Sequence, residues 1–563
     1  MTGNVTLRYV GPFGFDTIFD FLNETLRNTT DPQNSPFLHP AEAGYYSITN
    51  EVCYTITQSR WWTWAIYDNQ DIWNRIVVWK IPLITLLFQF ARPPLASSFW
   101  ANTNVLVLMR LVGNPISTIA SLLATLHACQ KQARIFQDHI NHALHDAVGA
   151  GNWKLARRIR EKSDALWKGF TLISISYVEW DAGGTNLDSI LMHSLDQLLR
   201  DPDAAIMVSF ETAASMLAAD RSTFVLPVFI AQGAFLFAIG AAFWRVIGVP
   251  PQPHSWTNVE AYSIAMSAPF LYTLPAVFLA AIMGASQTET SVPTILNSLR
   301  RQLAEKDWHL PIPGRSPVPL HPPLIPAGPS QQDPGVTLAR RIAAGGLYAW
   351  RPHTHAPRRL GRTWPHFLLA AGFVGGSVAV GGWIAYRVPP EGFDCRNAAQ
   401  TALLGTWVAS VALDFAVVFF AKVAGAEDGW YGVTFGKDVG MGLAVVVEIV
   451  VTQLGVLNRC DCFTLWGRVP LALPQIREVA DVLMRRIAVE WPMVTFGWIG
   501  MEVVLCVLIW CWYGDAFRVY MQRDDGTSNF DWVPAWAQSA RVRKALRGRT
   551  GGGNGSLELG RFL

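Results

Sequence analysis

FVLPVFIAQGAFLFAIGAAFW, residues 224–244, decides the fold class, because it is a long apolar run. A hydrocarbon layer about 30 Å thick is crossed by roughly 20 helical residues, each rising about 1.5 Å, with every backbone polar group paired inside the helix. The run meets that demand within a segment at about 222–247. Working outward, 260–285, 365–386, 401–422, 438–457 and 495–513 meet it as well. A seventh segment, 73–91 (WNRIVVWKIPLITLLFQFA), is apolar enough despite Lys80, and Arg92-Pro93-Pro94 supplies a stop. The expected fold is all-α: a polytopic membrane bundle of about seven spans with an inserted cytoplasmic helical domain.

Composition agrees, since 563 residues at 51% hydrophobic and only 15% charged do not suit one soluble core with a charged shell. The net charge of +3 is too small to imply a nucleic-acid partner, so the lipid bilayer is the expected partner. Residues 1–30 contain no continuous apolar stretch of the kind a secretory signal needs, so export of the N-terminus is expected to rely on the first span.

The stretch 104–128, NVLVLMRLVGNPISTIASLLATLHA, is ambiguous. Arg110, Asn114, Pro115 and several hydroxyls are each costly or disruptive in mid-membrane, which favours an amphipathic helix on the cytoplasmic surface. A polar, partly buried span is the alternative.

Seven spans divide the chain into an extracellular region 1–72, a first span 73–91, a cytoplasmic helical domain 92–221 and spans two and three within 222–285. A cytoplasmic loop 286–364, spans four to seven with extracellular loops in 365–513, and a cytoplasmic tail 514–563 follow. Lys and Arg concentrate where this scheme puts the cytoplasm, as at Lys154, Arg157, Arg158, Arg160 and Lys162, and again at Arg541, Arg543, Lys544, Arg547 and Arg549. The stretch 458–494, with Arg459, Arg468, Arg477, Arg485 and Arg486, dissents. Glycosylation sequons at Asn4, Asn23 and Asn28 crowd the exported end, while a fourth at Asn554 lies in the tail. Cys53, Cys395, Cys460 and Cys462 all fall outside, the even number that disulfides require. A Cys460–Cys462 bridge would close a very small loop, which favours Cys53 and Cys395 each pairing with one of them; unpaired thiols are the alternative.

Within 92–221, helical periodicity marks 129–148, 186–200 and 203–219, and SVPTILNSLRRQLAEK (291–306) is a further helix. The Pro-rich stretch 310–335 is expected to be an extended linker, with a proline-motif ligand for a cytoplasmic protein partner as the alternative.

Ionisable residues inside spans are functional candidates by default: Asp414, Glu448 and Glu502, with Lys80 as a neutralising partner for Glu502. Asp414 and Glu448 could form a proton or cation site, or all of them could be interhelical partners holding the bundle together. Gly372 and Gly376 fit close helix approach. His139, His142 and His145 span a helical arc that could ligate a metal, although a solvated helix face explains them better. No catalytic motif and no cofactor site is legible.

RPPLASSFW (92–100), VGNPISTIASLL (112–123), AYSIAMSAPFLYTLPAVFLAAIMGASQT (261–288) and PPEGFDCRNAAQ (389–400) resemble a group of uncharacterised multi-spanning membrane proteins of filamentous fungi. The resemblance implies a multi-pass topology and a fungal source, and no activity, cofactor or catalytic residue. The functional expectation is a plasma-membrane or secretory-pathway protein, non-enzymatic and serving assembly, sensing or interaction. A transporter or channel for a lipophilic metabolite or proton-coupled solute is the first alternative, and a membrane-embedded enzyme of lipid or specialised metabolism the second. A G-protein-coupled receptor shares the topology, but the large domain between the first two spans and the lack of an Asp-Arg-Tyr-like motif argue against it. Oligomeric state is left open.

Overall fold

The computed structural model describes residues 38–42, 45–48, 81–90, 108–179, 187–200, 204–222, 225–248, 264–286, 291–305, 360–387, 392–424, 430–453, 456–457, 460–463, 468, 471–474 and 477–521. Lys80, Cys53, the sequons at Asn4, Asn23 and Asn28, and the Pro-rich linker lie outside the described residues. In chain order the elements are β1 (Leu38–Glu42), β2 (Tyr45–Ile48), α1 (Ile81–Phe88), α2 (Pro115–Gly149), α3 (Trp153–Glu179), α4 (Leu187–Arg200) and α5 (Ala204–Asp220). They continue with β3 (Arg221–Ser222), α6 (Val225–Gly248), a 3-10 turn at Ala268–Phe270, α7 (Thr273–Met283), β4 (Ala285–Ser286), α8 (Ser291–Ala304) and α9 (Leu360–Arg387). The last are α10 (Cys395–Ala424), α11 (Trp430–Gln453), α12 (Cys460–Phe463), β5 (Leu471–Pro474), α13 (Arg477–Trp512) and α14 (Gly514–Tyr520).

Five of these stretches are long and apolar enough to cross a membrane: Leu226–Trp244, Ile264–Met283, Trp364–Arg387, Cys395–Val417 and Ala488–Trp512. They match five of the seven expected spans. The expected span at 438–457 coincides with most of α11, which has the length but carries Lys437, Asp438 and Glu448. The first expected span is described only from Ile81 onward. Ile264–Met283 is the innermost of the five and almost wholly buried, whereas the others turn exposed Phe, Trp, Leu and Val outward. Those outward side chains are the ones a lipid phase would cover.

The stretch 104–128 is where the structure departs most from the sequence reading. Every residue from Arg110 to Leu123 is buried, so the helix is no amphipathic surface element but runs through the centre of the bundle against α9, α10 and α7. Its hydroxyls cost less than expected because three of them bond the carbonyl one turn back: Thr118 to Asn114, Ser121 to Ser117 and Thr125 to Ser121, at 2.9, 2.7 and 3.0 Å. The C-terminal half of α2 continues into a second layer, where it packs on α3 and α14 and Gln130 clasps α14 by donating to Asp515 Oδ2 (2.6 Å) and accepting from Ala516 N (2.9 Å). In that layer the expected helices appear as the end of α2, α4, α5 and α8. A single apolar core extends from Leu83 to Met521 through both layers.

Two small sheets relate distant segments. β2 pairs antiparallel with both β1 and β5, with Tyr45 opposite Pro474 and Ile48 opposite Leu471. That places part of the N-terminal region on the same face as the α12–α13 connection. β3 pairs with β4, Arg221 opposite Ser286, joining the start of α6 to the end of α7. Both pairings unite segments that a seven-span scheme assigns to a common side.

Candidate functional site

The VGNP sequence at 112–115 breaks the central helix. Residues 108–113 are helical, Asn114 leaves helical geometry (φ −147°, ψ 60°), and α2 restarts with Pro115 in its first turn, where a missing N–H costs nothing. Pro115 cannot donate to the carbonyl of Leu111 one turn earlier. Tyr272 OH donates to that oxygen instead, at 3.3 Å, and Trp407 Nε1 donates to the next carbonyl, Val112 O, at 2.8 Å. Tyr272 and Trp407 are both fully buried and meet edge-to-face at 5.3 Å between centroids. The break is therefore held by side chains from two other segments.

It also lies directly against α11. A Cβ on Gly113 would come within 2.4 Å of Gly442 N, and one on Gly442 within 2.6 Å of Met109 O, so the two backbones touch where neither has a side chain. Gly372 and Gly376 do not form the close approach expected of them. Gly372 faces open space, and Gly376 instead makes room for the indole of Trp498. Gly381 provides a close crossing, against Ala265 O and Pro269.

This crossing brings four charges together. Arg110 Nη1 pairs with Asp438 Oδ2, and Arg110 Nη2 donates to Ser117 Oγ at 3.3 Å. Lys437 Nζ lies 2.8 Å from Asp414 Oδ1 and 2.8 Å from Asp438 Oδ1, and donates to the carbonyl and hydroxyl oxygens of Ser410 at 2.9 and 2.8 Å. Asn114 Nδ2 donates to Asp414 Oδ2 (2.5 Å) and to Asp438 Oδ1 (3.3 Å), while its Oδ1 caps α2 by accepting from Ser117 N. None of the four charged side chains is more than 8% exposed. Two cations and two anions sum to zero, which is the condition under which charges can persist away from water.

The three acids expected inside spans do not converge. Asp414 belongs to the tetrad. Glu448 sits half-buried ten residues along α11 from Asp438, about 15 Å away at helical rise. Glu502 is buried on α13, where its Oε1 accepts from Trp498 Nε1 at 2.9 Å and contacts Ser377 Oγ at 3.2 Å. Arg110 and Asn114 were visible in the sequence only as obstacles to a span, and Lys437 and Asp438 straddle the edge of one. The usable signal was charge complementarity: an unmatched cation at 110 and an unmatched anion at 414, with Arg110, Asn114 and Ser117 spaced to share a helix face.

Of the cysteine candidates, Cys395 and Cys462 are buried side by side, their side chains sharing a hydrogen bond. Asp394 precedes them as the cap of α10, its Oδ1 accepting from Arg396 N at 2.7 Å and its other oxygen paired with the buried Arg396 guanidinium. His139 approaches Asp196 at 3.7 Å, and His142 and His145 are exposed. Among the described residues no three His, Cys, Asp or Glu are grouped to hold a metal.

No family model, curated protein or solved structure matches the chain. Its own construction gives the class it fits: five apolar helices of membrane-crossing length, with a buried charged crossing among the helices, are compatible with an α-helical multi-pass membrane protein.

Proposed function

We propose that this membrane protein works by assembly, sensing or interaction and not by turnover, with the Arg110–Asp438–Lys437–Asp414 tetrad as a latch. The latch locks the broken helix at 108–149 to α10 and α11. The observation that carries this reading is mutual neutralisation. Each charge is answered by another inside the bundle, so the group is built to hold helices in place more than to take up a solute. Since α2 continues from the latch into the layer of α3 and α14, release at one end would be felt at the other.

In this reading the N-terminus faces outside and the α2–α5 layer the cytoplasm, in a plasma or secretory-pathway membrane of a fungal cell. The Lys and Arg distribution and the three N-terminal sequons support that orientation. The pairing of β2 with β5 and the Cys395–Cys462 contact support the grouping of segments on its outer face.

A second reading, a transporter for a proton-coupled solute or lipophilic metabolite, is favoured by one observation: a helix interrupted beside buried charges is how many carriers build a midplane site. Reconstitution into vesicles separates the two. The expected result is no proton or solute flux from the wild type, together with faster proteolysis of the α2–α5 layer when Arg110→Met opens the latch. Flux that disappears in Asp414→Asn would overturn the proposal in favour of the carrier.

A further inference from the structure

Glu502 stands apart from the tetrad, and its surroundings are of a different kind. It lies within the apolar Ala488–Trp512 stretch and is 2% exposed. Among the described residues no basic side chain reaches it. Among them its Oε2 is also buried with no hydrogen-bond partner, and the neighbours of Oε1 are neutral.

The proton count at Oε1 is informative. Ser377 Oγ has a single hydrogen and two acceptors within reach, Phe373 O at 2.8 Å and Glu502 Oε1 at 3.2 Å. The nearer, within-helix carbonyl takes it. Trp498 Nε1 also has one hydrogen, spread between Glu502 Oε1 at 2.9 Å and Ser377 Oγ at 3.1 Å. The contact between Ser377 Oγ and the carboxyl is then fully satisfied only when the carboxyl itself carries a hydrogen and donates it. An ionised carboxylate here would have one shared indole donor, a bare second oxygen and, among the described residues, no counter-charge, and isolated buried carboxylates neutralise instead.

α7 contains no ionisable residue, and Arg245 near the end of α6 is that helix's only one. On α9, His366 and Arg387 are ten or more residues from Ser377, about 15 Å along the helix. The Cys506 thiol lies one turn along α13 from Glu502, on the same face.

We propose that Glu502 is a proton-binding site inside the bundle, a neutral carboxylic acid held by Ser377 and Trp498 with Gly376 opening the space for the indole. The site takes a proton and no metal or solute, because one carboxyl oxygen is already occupied and the other is buried with no second ligand beside it among the described residues. It is independent of the tetrad, since its partners lie on α9 and α13 and the tetrad's on α2, the stretch before it, α10 and α11.

Infrared spectroscopy of the purified full chain near neutral pH tests this through the C=O band of protonated carboxyls. Glu502→Gln is expected to remove a single carboxyl's intensity, Ser377→Ala to move that band without removing it, and Glu448→Gln to leave it in place. Should Glu502→Gln fail to fold, the Ser377→Ala displacement alone identifies the band. Identical protonated-carboxyl spectra for wild type, Glu502→Gln and Ser377→Ala would overturn the proposal. So would a band that emerges only in Lys80→Met, since Glu502 would then be an ionised partner of that lysine.

Discussion

Replacing Arg110 with Met tests whether the four buried charges act as one unit. The two Lys437 contacts at 2.8 Å each represent about 6 kcal/mol of gross attraction at an effective dielectric near 20, most of which desolvation cancels. The measurable quantity is instead the penalty for leaving a charge unanswered. Arg110→Met leaves Asp414 and Asp438 facing Lys437 alone, a net negative charge in a site where no side chain is more than 8% exposed, and is expected to cost about 3–5 kcal/mol. Asp438→Met leaves a net positive charge and is expected to cost a similar amount. The double variant restores neutrality with apolar groups, so it should lose far less than the sum, with a coupling of about 2 kcal/mol or more. Equilibrium unfolding in detergent, followed through tryptophan fluorescence, measures all four corners of the cycle. If Arg110→Met costs under about 1 kcal/mol, or the single losses simply add, the tetrad is not a latch.

Tyr272→Phe leaves Leu111 O without its donor and should cost about 1–3 kcal/mol, but distinctly less in a Pro115→Ala background, where the restored N–H can reach that carbonyl; equal costs in the two backgrounds would refute the account of the helix break. Gly442→Ala forces a methyl against Met109 O and should destabilise by about 1–3 kcal/mol in thermal unfolding, whereas Gly440→Ala on the same helix, with open space around it, should be neutral or slightly stabilising. Tyr177 has a buried hydroxyl with no partner, and burial raises its pKa above the ordinary tyrosine value although Arg300 pulls the other way. Because the folded value is the higher one, Tyr177 leaves stability independent of pH below about pH 10, and the fold loses stability as pH rises beyond it and the unfolded tyrosine ionises. Tyr177→Phe should therefore be at least as stable as wild type at neutral pH and lose less stability in alkaline melts; parallel alkaline losses would count against it.

Apolar length made five candidate spans legible in the sequence, because a helix fit to cross a membrane is recognised by composition and extent alone. The stretch at 104–128 was misjudged because its polar residues were weighed singly. Thr118, Ser121 and Thr125 satisfy themselves within the helix, and Arg110 and Asn114 are answered by residues about 300 positions away in sequence. Local pattern carries no record of such partners. The break itself could be read from Gly113-Asn114-Pro115, but not Tyr272 and Trp407, the side chains that make it tolerable. Likewise Asp414 and Glu502 were recognisable as costly, while their assignment to two unrelated environments depended on which helices met.

The continuity of α2 has a mechanical side. As a 35-residue helix it is a rod about 52 Å long, pivoted at Asn114, where its backbone is not locked to the preceding turn by the usual bond from residue 115. A tilt of about 5° at that pivot would carry its far end through about 4–5 Å, most of a helical turn. Gln130, about 22 Å along the shaft, grips both Asp515 and the backbone of α14, so the last apolar span and the lever are pinned together part-way out. A small angular change at the charged fulcrum is thereby converted into a larger lateral stroke at the loop around Ala150 and Gly151, where α2 turns back into α3.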